Sequence, residues 1–564
     1  MNILGIGGFS HDSAAVLVCD GELVAGVAEE RITRVKHQGG VPREAVQYCL
    51  DAAGLTRNHI DHIGCYMKPG LRLRKRLAYR TTQLLRSPLY SLGYMGYEVL
   101  HNIEYMRGMR SLCGAKTKLH YMAHHPAHAA SAFLVSPFDS AALLSIDYIG
   151  EMTSTWAGVG QGTTLTPLKE IRYPHSLGVF YSAITDYLGF LRASDEYKVM
   201  GLASYGEPEF YDDFRAIVRE HGKHWYKMDL SWMAYHHVPG SRNGYFSNKF
   251  LKRFGPPREK GEPVEERHRN IAASAQKILE ETVLRMLRHL HQIAKSDNLC
   301  LAGGVALNCA MNGRVLRESP FESVFVQPAS GDDGIAIGAA YQLHHRMTGQ
   351  PRSFVMRDAC IGPEHSNEEI RRYLEQVKIP FETPENYEAR VAELIAEGNI
   401  VGWYQGRMEY GPRALGARSI LADPTRPEMK DMINKHVKHR EEFRPFAPSC
   451  LEEKAGAYFE DCNESPFMLF VYPVIEEMRD EVPSVTHVDG TSRVQTVSEE
   501  RQPQFYRLIS EFERLKEVPM ILNTSFNVMG EPIVNTPAQA VRCFYSTGMD
   551  ALAIGDCIVT KQHD

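Results

Sequence analysis

The motif HHPAH at 124–128, with the apolar run that follows it, most constrains how this chain folds. His124 and His128 are four residues apart, and the run AALLSI, typical of a strand, ends at Asp147. Residues four apart lie on one face of a helix, so both imidazoles can face one ion while His125 points elsewhere. A carboxylate must then arrive from a strand end, where ligands commonly cluster. The sequence therefore predicts an α/β fold with a metal site.

A second carboxylate is offered by SGDDGIAIGAA, which follows the strand-like run SVFVQP. Asp332 directly follows Gly331 at the loop entrance, and the adjacent Asp333 could supply the ligand instead. Two histidines and two carboxylates suit divalent iron or manganese as well as zinc, without the thiolates of a closed structural zinc site. The alternative is a structural helix N-terminus, with Pro126 in its first turn and histidines bonded to the backbone.

Size and composition narrow the class of protein. A chain of 564 residues predicts at least two domains. Its formal net charge of -6 argues against general nucleic-acid or membrane affinity, and no apolar run reaches the roughly 18 residues of a membrane span. MNILGIGGFSHD lacks a basic leader segment and predicts a first strand in a cytoplasmic protein. The 11 cysteines contain no CxxC pair, which is typical of reduced core thiols.

Alternating strand-like and helical runs predict two α/β domains, 1–350 and 351–564. The first includes a long helix through 265–294 and an inserted helical lobe near 70–112. The pattern weakens from about 350 to 388, which predicts the connection between domains. The second domain includes a predicted helix EMKDMINKHVKH and a predicted strand FMLFVYPV. The sequence shows no internal repeat.

Three glycine loops in the first domain are of the kind that lets backbone N–H groups approach a phosphate closely. GIGGFSHDSAA carries His11 at its mouth, LAGGVALN carries Gly303, Gly304 and Asn308, and SGDDG precedes a third helix. Each following helix adds a positive N-terminal dipole. We predict that Gly303, Gly304 and Asn308 bind a cofactor, although any one such loop is more often a tight turn.

Cations cluster in the second domain, in GPRALGARS and KHVKHREEFRPFAPS. Guanidinium groups suit phosphate oxygens bidentately, and a lysine adds a point charge. The alternative is a set of surface arginines paired with Glu441 and Glu442. The predicted polyanion site consists of Arg413, Arg418, Lys438, Arg440 and Arg444, with Arg493 and Ser525 at strand ends.

Taken together, these motifs resemble the O-carbamoyltransferase family of nodulation-factor and antibiotic biosynthesis, which includes the tobramycin carbamoyltransferase. The resemblance extends over nearly the whole chain, and the ordered set of motifs is highly specific. It runs through GIGGFSHDSAA, HHPAH, SIDYIGE, SDEYKVMGLASYG, GGVALN, SGDDG, EYGPRALGARS, REEFRPFAP and NTSFN.

The resemblance implies an N-terminal metal-binding domain of the actin, Hsp70 and sugar-kinase fold, and a C-terminal YrdC-like α/β domain. It implies Fe2+ as the ion, His11 as the base, and Asp332 as the ligand in SGDDG. Tyr148 stands where many relatives carry glycine, which would narrow the acceptor pocket. The implied metal ligands are His124, His128, Asp147 and Asp332, and the implied site for carbamoyl phosphate and ATP with Mg2+ contains Arg413, Lys438, Arg444, Arg493 and Ser525.

The implied activity is ATP-dependent carbamoyl transfer from carbamoyl phosphate, through carbamoyl-adenylate passed inside the protein, to a hydroxyl of a small natural-product acceptor. No nucleic-acid or membrane partner is expected. The protein is expected to form a homodimer. The loops at 222–260 and the lobe at 70–112 would shape the acceptor pocket, or else be structural. Three alternatives remain: a small-molecule kinase of the actin-like fold, threonylcarbamoyl transfer to tRNA, and a non-enzymatic nucleotide-driven chaperone or scaffold.

Overall fold

The chain forms two compact units in the computed structural model, which describes residues 1–84, 87–222, 225–236 and 245–561. The first unit contains Met1–Val24 and Gly39–Val355, and the second contains Ala25–Gln38 and Met356–Asp564. The segment Ala25–Gln38 includes the short helix α1 (Glu29–Thr33). Nothing in the sequence pattern indicates that this segment belongs to the second unit.

The strands of the first unit build two five-stranded sheets with the same topology. The sheet orders are β3-β2-β1-β4-β5 and β8-β7-β6-β11-β12, and β9 pairs with β10 separately. In each large sheet the central strand is antiparallel to one neighbour and parallel to the other. The strands are β1 (Asn2–Gly7), β2 (Ala14–Cys19), β3 (Glu22–Ala28), β4 (His62–Cys65), β5 (Lys118–Tyr121), β6 (Ser140–Gly150), β7 (Thr153–Gln161), β8 (Thr164–Arg172), β9 (Val218–His221), β10 (Trp225–Met228), β11 (Asn298–Ala302) and β12 (Ser323–Val326).

The first unit is thus built on a duplicated mixed sheet flanked by helices, and the predicted α/β class is confirmed. The fold therefore repeats although the sequence does not. Each strand needs only apolar side chains at its buried positions, and many sequences supply them.

The helices of the first unit include the predicted long helix, which is confirmed as Glu266–Ala294. The predicted lobe at 70–112 contains two helices, with residues 85–86 outside the described part. Among the described residues, no helix is both long and apolar enough to cross a bilayer. These helices are α2 (Arg43–Ala52), α3 (Leu73–Gln83), α4 (Pro88–Arg110), α5 (His124–Phe133), α6 (Leu177–Tyr187), α7 (Glu196–Ala203), α8 (Tyr211–Ile217), α9 (Asn248–Phe254), α10 (Glu266–Ala294), α11 (Cys309–Glu318) and α12 (Ile335–Thr348).

Helices α5 and α12 pack against each other, α5 on the strand β6 and α12 on β1. The approach of the two helices is close, because a Cβ on Gly338 of α12 would lie 1.9 Å from the carbonyl oxygen of Ala127 in α5. A Cβ on Gly5 of β1 would likewise lie 2.0 Å from the carbonyl oxygen of Ala336. These contacts fix the start of α5 relative to the strand ends.

The second unit is built on a seven-stranded mixed sheet of order β18-β15-β19-β14-β13-β20-β21, with β16 and β17 paired separately. Its strands are β13 (Val401–Tyr404), β14 (Arg418–Ala422), β15 (Ala447–Leu451), β16 (Tyr472–Pro473), β17 (Thr491–Ser492), β18 (Gln495–Val497), β19 (Met520–Ser525), β20 (Ala551–Ile554) and β21 (Cys557–Thr560). Its further helices are α13 (Asn367–Gln376), α14 (Tyr387–Ala396), α15 (Met429–Met432), α16 (Pro503–Lys516) and α17 (Pro537–Tyr545).

Two predicted elements of this unit differ from the structure. FMLFVYPV forms a strand only at Tyr472–Pro473. Met468 in this segment has a φ of 55°, which interrupts extended backbone, so an apolar run here marks buried irregular chain. The predicted helix EMKDMINKHVKH forms, but α15 continues as a π-helical turn, Ile433–Lys438. Such turns often occur at functional sites.

Candidate metal centre and anion site

Four side chains of the first unit converge as the sequence predicts. His124 and His128 lie at the start of α5, Asp147 lies near the end of β6, and Asp332 lies in the loop after β12. Their ligand atoms all lie within 4.8 Å of one another. His124 Nε2 is 3.0 Å from Asp147 Oδ2, and His128 Nε2 is 3.4 Å from both Asp147 Oδ2 and Asp332 Oδ1. The pairing of β6 with β7 is irregular between Ile146 and Gly150, a feature that can re-aim a side chain.

The donor set fits a divalent ion. The His128 side chain is fully buried, and neither of its ring nitrogens makes a well-aligned hydrogen bond, although Nε2 faces both carboxylates; native interiors otherwise avoid such an arrangement. Burial lowers the pKa of His128, but the nearby carboxylates of Asp147 and Asp332 raise it to about 9. Although burial raises the pKa of Asp147, His124 and His128 hold it well below its usual range. A divalent cation would replace the protons that hold these groups together.

His125 and Asp333 lie outside this cluster. The His125 ring is within hydrogen-bonding distance of Ser145 Oγ, at 2.9 Å, and of the Thr153 carbonyl oxygen, at 3.0 Å. Asp333 Oδ1 accepts the N–H of Gly334 at 2.9 Å. His125 therefore points away from the cluster, as the helical spacing predicts, and the geometry favours Asp332 over Asp333 as the ligand.

Loss of one ligand gives a direct test of the cluster. We expect His128→Ala protein to contain at least about 10-fold less bound metal than the wild type, because the remaining donors are too few for tight binding. Metal per chain is measured after anaerobic purification. His125→Gln, on the same helix and equally buried, is the matched control and should retain its metal. Equal metal in the alanine variant and the wild type would refute the ligand assignment.

The glycine loop at 303–304 supports the cluster. Gly303 has a φ of 85°, and a Cβ there would lie 2.3 Å from the Ile146 carbonyl oxygen. The N–H of Gly304 donates to Asp147 Oδ1 at 3.2 Å. The Asn308 side chain caps α11, accepting the N–H of Met311, and exchanges two hydrogen bonds with Gln276. The loop therefore orients Asp147, and its contact with a cofactor stays a prediction.

His11 lies beside this cluster. Its Nδ1 is 3.0 Å from Asp12 Oδ2, and its Nε2 is 4.0 Å from Asp332 Oδ2. Its side chain is 45% exposed, so a soluble reactant can reach it. Burial lowers the pKa of His11, but the hydrogen bond to Asp12 and the charge of Asp332 raise it to about 10. A cation that offsets the Asp332 charge would make the neutral imidazole more accessible.

In the second unit, Lys438 and Ser525 meet where the π-helical turn and β19 end. Lys438 is buried, and its Nζ donates to Ser525 Oγ at 3.3 Å and to Asn527 Oδ1 at 3.1 Å. Burial lowers the pKa of Lys438 well below its usual value, and the positive charges of Arg440 and Arg444 add to this effect. The neutral form of Lys438 is thus favoured, and an anion bound beside Lys438, Arg440 and Arg444 would favour its charged form.

Arg413 and Arg493 have less definite positions relative to Lys438. Arg413 is half-buried in the loop that joins β13 and β14. Arg493 follows β17, and its Nε is buried without a hydrogen-bond partner. Burial lowers the pKa of His487 to about 4, and the charge of Arg493 contributes to the shift, so the two side chains are neighbours.

Arg418 holds the fold rather than joining the anion cluster. It is fully buried, and its guanidinium lies 3.7 Å from the centre of the Tyr404 ring. Its terminal nitrogens donate to the carbonyl oxygens of Gln405, Ala417, Pro363 and Gly406, at 2.7 to 3.1 Å. Because the backbone already uses these donors, the structure does not place Arg418 where the sequence-based prediction has it, against a phosphate.

Glu409, which the sequence reasoning missed, organises the loop EYGPRALGARS. Its Oε1 accepts the N–H groups of Leu415, Ala417 and Arg418 at 2.7, 2.7 and 3.1 Å. Arg31 in the segment Ala25–Gln38 donates to the Gly411 carbonyl oxygen of the same loop at 2.8 Å. The available signal was an acidic residue just before a Gly-Pro turn, which is too common to be specific.

Removal of the Glu409 carboxylate tests whether the loop EYGPRALGARS helps to bind the phosphate groups of the substrates. We expect Glu409→Ala to slow about 100-fold the ATP-dependent formation of carbamoyl-adenylate that the family resemblance implies, because small displacements of binding groups have effects of that size. Glu409→Gln keeps an acceptor oxygen and should retain most of the activity. Melting temperatures of both variants establish that they fold. A folded alanine variant with wild-type rates would contradict the role of the loop.

The aromatic residues between 225 and 250 are mostly packing. Trp225, Tyr226, Trp232 and Tyr235 are no more than 8% exposed. Tyr245 is half-buried, with its hydroxyl 3.1 Å from that of Tyr148. Residues 223–224 and 237–244 of the predicted acceptor loop lie outside the described part of the chain.

Comparison with known proteins gives matches along both units. Residues 2–341 match the family described as Carbamoyltransferase N-terminus, and residues 392–561 match Carbamoyltransferase C-terminus. An uncharacterized protein of Synechocystis sp. is 42% identical over 99% of this chain and 97% of its own. Nodulation protein NolNO of Sinorhizobium fredii is 38% identical over 98% of this chain and 79% of its own. Among solved structures, HypF of T. kodakarensis has a TM-score of 0.34 at 17% identity, covering 62% of this chain and 48% of its own.

Proposed function

Because this chain belongs to the carbamoyltransferase family of enzymes, we propose that it transfers the carbamoyl group of carbamoyl phosphate to a hydroxyl of a small-molecule acceptor at the expense of ATP. The proposal has two half-reactions, one for each unit. The second unit makes carbamoyl-adenylate, and the first unit transfers its carbamoyl group.

In the first half-reaction, water cleaves carbamoyl phosphate to carbamate and phosphate. A carbamate oxygen then attacks the α-phosphorus of ATP, and pyrophosphate leaves with the electrons of the broken P–O bond. Lys438, Arg444 and their neighbours neutralise the negative charge that develops, and Mg2+ accompanies ATP. Arg418 has no direct part, because its donors hold the backbone.

In the second half-reaction, the acceptor hydroxyl attacks the carbamoyl carbon, and AMP leaves. His11 takes the hydroxyl proton as general base. His124, His128, Asp147 and Asp332 would hold a divalent ion, for which we propose Fe2+, and which when bound supplies positive charge for carbonyl or phosphate oxygens. The products are an O-carbamoylated acceptor and AMP.

The observation that carries this proposal is the placement of His11. It is the partly exposed base beside a buried cluster of two histidines and two carboxylates, with its Nε2 4.0 Å from Asp332 Oδ2. If the protein were instead a small-molecule kinase, the histidine cluster would have no role in the reaction. The separate group of cations around Lys438, in the other unit, supports a division of labour between two half-reactions.

Pyrophosphate release from ATP, with and without carbamoyl phosphate, tests the proposal. The protein is purified anaerobically and its bound metal is measured first. We expect pyrophosphate only when carbamoyl phosphate is present. Pyrophosphate release at the same rate without carbamoyl phosphate would refute the adenylate route. Transfer of the γ-phosphate to an acceptor would refute it as well.

A further inference from the structure

The turn between β6 and β7 has an unusual backbone. Gly150 pairs with Thr153, so the loop between them is only Glu151 and Met152. Their φ angles are 51° and 80°. Two positive φ angles are characteristic of the tight hairpin turn that normally uses Asn-Gly, and neither glutamate nor methionine favours this conformation. Such strain persists where surrounding contacts compensate, often at functional sites.

The Glu151 carboxylate supplies these contacts. Its side chain is buried, and its two oxygens accept backbone N–H groups from two different segments. Oε2 accepts the N–H of His124 at 3.2 Å, and Oε1 accepts the N–H of Lys68 at 2.5 Å. The carboxylate therefore ties the first residue of α5 to the segment after β4. A negative charge at this end of a helix is also favourable.

The same turn packs directly on the imidazole of His124. A Cβ on Gly150 would lie 2.2 Å from His124 Cδ2, so the ring fills the space that any other residue at 150 would need. His124 is thus held through its backbone by Glu151 and through its ring by the Gly150 backbone. Both contacts come from one strained turn, and both act on a residue of the histidine and carboxylate cluster.

We infer that Glu151 is a positioning residue of the metal centre, which fixes the orientation of His124 and thereby sets the affinity of the cluster for a divalent ion. The inference rests on the metal centre of the proposed function. Glu151 itself does not touch the ion. Groups that orient metal ligands in this way typically change affinity by about 10- to 100-fold when they are altered.

The test is a titration of the metal-depleted full-length protein with Co2+, followed by its visible absorption bands. Glu151→Gln has nearly the same shape as glutamate, but its amide nitrogen cannot accept an N–H. We expect it to bind Co2+ about 10- to 100-fold more weakly than the wild type, with shifted absorption bands. Pyrophosphate formation in the second unit should be unchanged.

Two further variants separate this role from general stability. Met152→Gly relieves the backbone strain but keeps the carboxylate, so it should bind Co2+ like the wild type. Glu280→Gln alters another glutamate that is 8% exposed, as Glu151 is, but that bonds to Gln276 and Arg314 instead. It should also leave Co2+ binding unchanged. If Glu151→Gln does not fold, Glu151→Asp replaces it and should still weaken binding, because the shorter side chain cannot reach both N–H groups.

The possible outcomes distinguish the inference from the proposed function. Wild-type affinity and spectrum in the folded Glu151 variant would overturn the inference and leave the metal centre in place. An equal loss in Met152→Gly would also overturn it, since the turn and not the carboxylate would then be responsible. If the wild type itself bound no Co2+, both the inference and the metal centre would be wrong.

Discussion

Replacement of His11 by asparagine is expected to abolish carbamoyl transfer while leaving pyrophosphate formation intact. His11 is a partly exposed imidazole beside the histidine and carboxylate cluster, and the general base that we propose it to be would contribute about 100- to 10,000-fold to the rate. Asparagine keeps much of the size and polarity of the side chain but cannot take up a proton. The two half-reactions are measured separately, as pyrophosphate release and as formation of the carbamoylated acceptor.

His62→Asn is the matched control for this experiment. His62 also belongs to the first unit, where its Nδ1 lies 3.0 Å from His120 Nε2, and it is not part of the cluster. The control should retain both half-reactions. If His11→Asn lost pyrophosphate formation as well as transfer, the division of labour between the two units would be wrong.

Replacement of Lys438 by methionine is expected to produce the opposite pattern. The lysine is buried among oxygen atoms of Ser525 and Asn527, with Arg440 and Arg444 near enough to lower its pKa. Removal of one preorganised charge that faces a developing anion typically slows a reaction about 100- to 1,000-fold. Pyrophosphate formation should fall by that factor, while bound metal stays unchanged.

Two measurements check this second prediction. Transfer from added carbamoyl-adenylate should proceed at the wild-type rate in Lys438→Met. Lys454→Met, in the same unit but with a side chain 51% exposed, should behave as the wild type in both assays. Normal pyrophosphate release in a folded Lys438 variant would show that Lys438 has no role in forming carbamoyl-adenylate. Loss of metal from the same variant would indicate general damage to the fold.

Local spacing rules account for the parts of the metal site that were predictable. The four-residue spacing of His124 and His128 is a property of any helix, and Asp147 and Asp332 end apolar runs of strand type. The carboxyl ends of parallel strands meet at one edge of a sheet, so these carboxylates could be expected near one another. The structure confirms that all four ligand atoms converge.

Burial decided what sequence patterns could not. Arg418 looks like a phosphate-binding cation near glycine and proline, yet it is fully buried with its donors on carbonyl oxygens. FMLFVYPV is as apolar as a strand, but the positive φ of Met468 interrupts it. In each case the same local residues permit two outcomes, and only packing against distant parts of the chain selects one.

The sequence by itself determined the α/β class, the four residues of the histidine and carboxylate cluster, and the family, because each of these depends on short-range spacing or on the order of motifs. The tertiary structure decided which residues support the sites. Glu151 bonds to Lys68 and to His124, 27 residues away, and Arg31 bonds to Gly411, 380 residues away. Long-range hydrogen bonds of this kind form only when folding excludes water from both partners, and no local pattern in the sequence marks them.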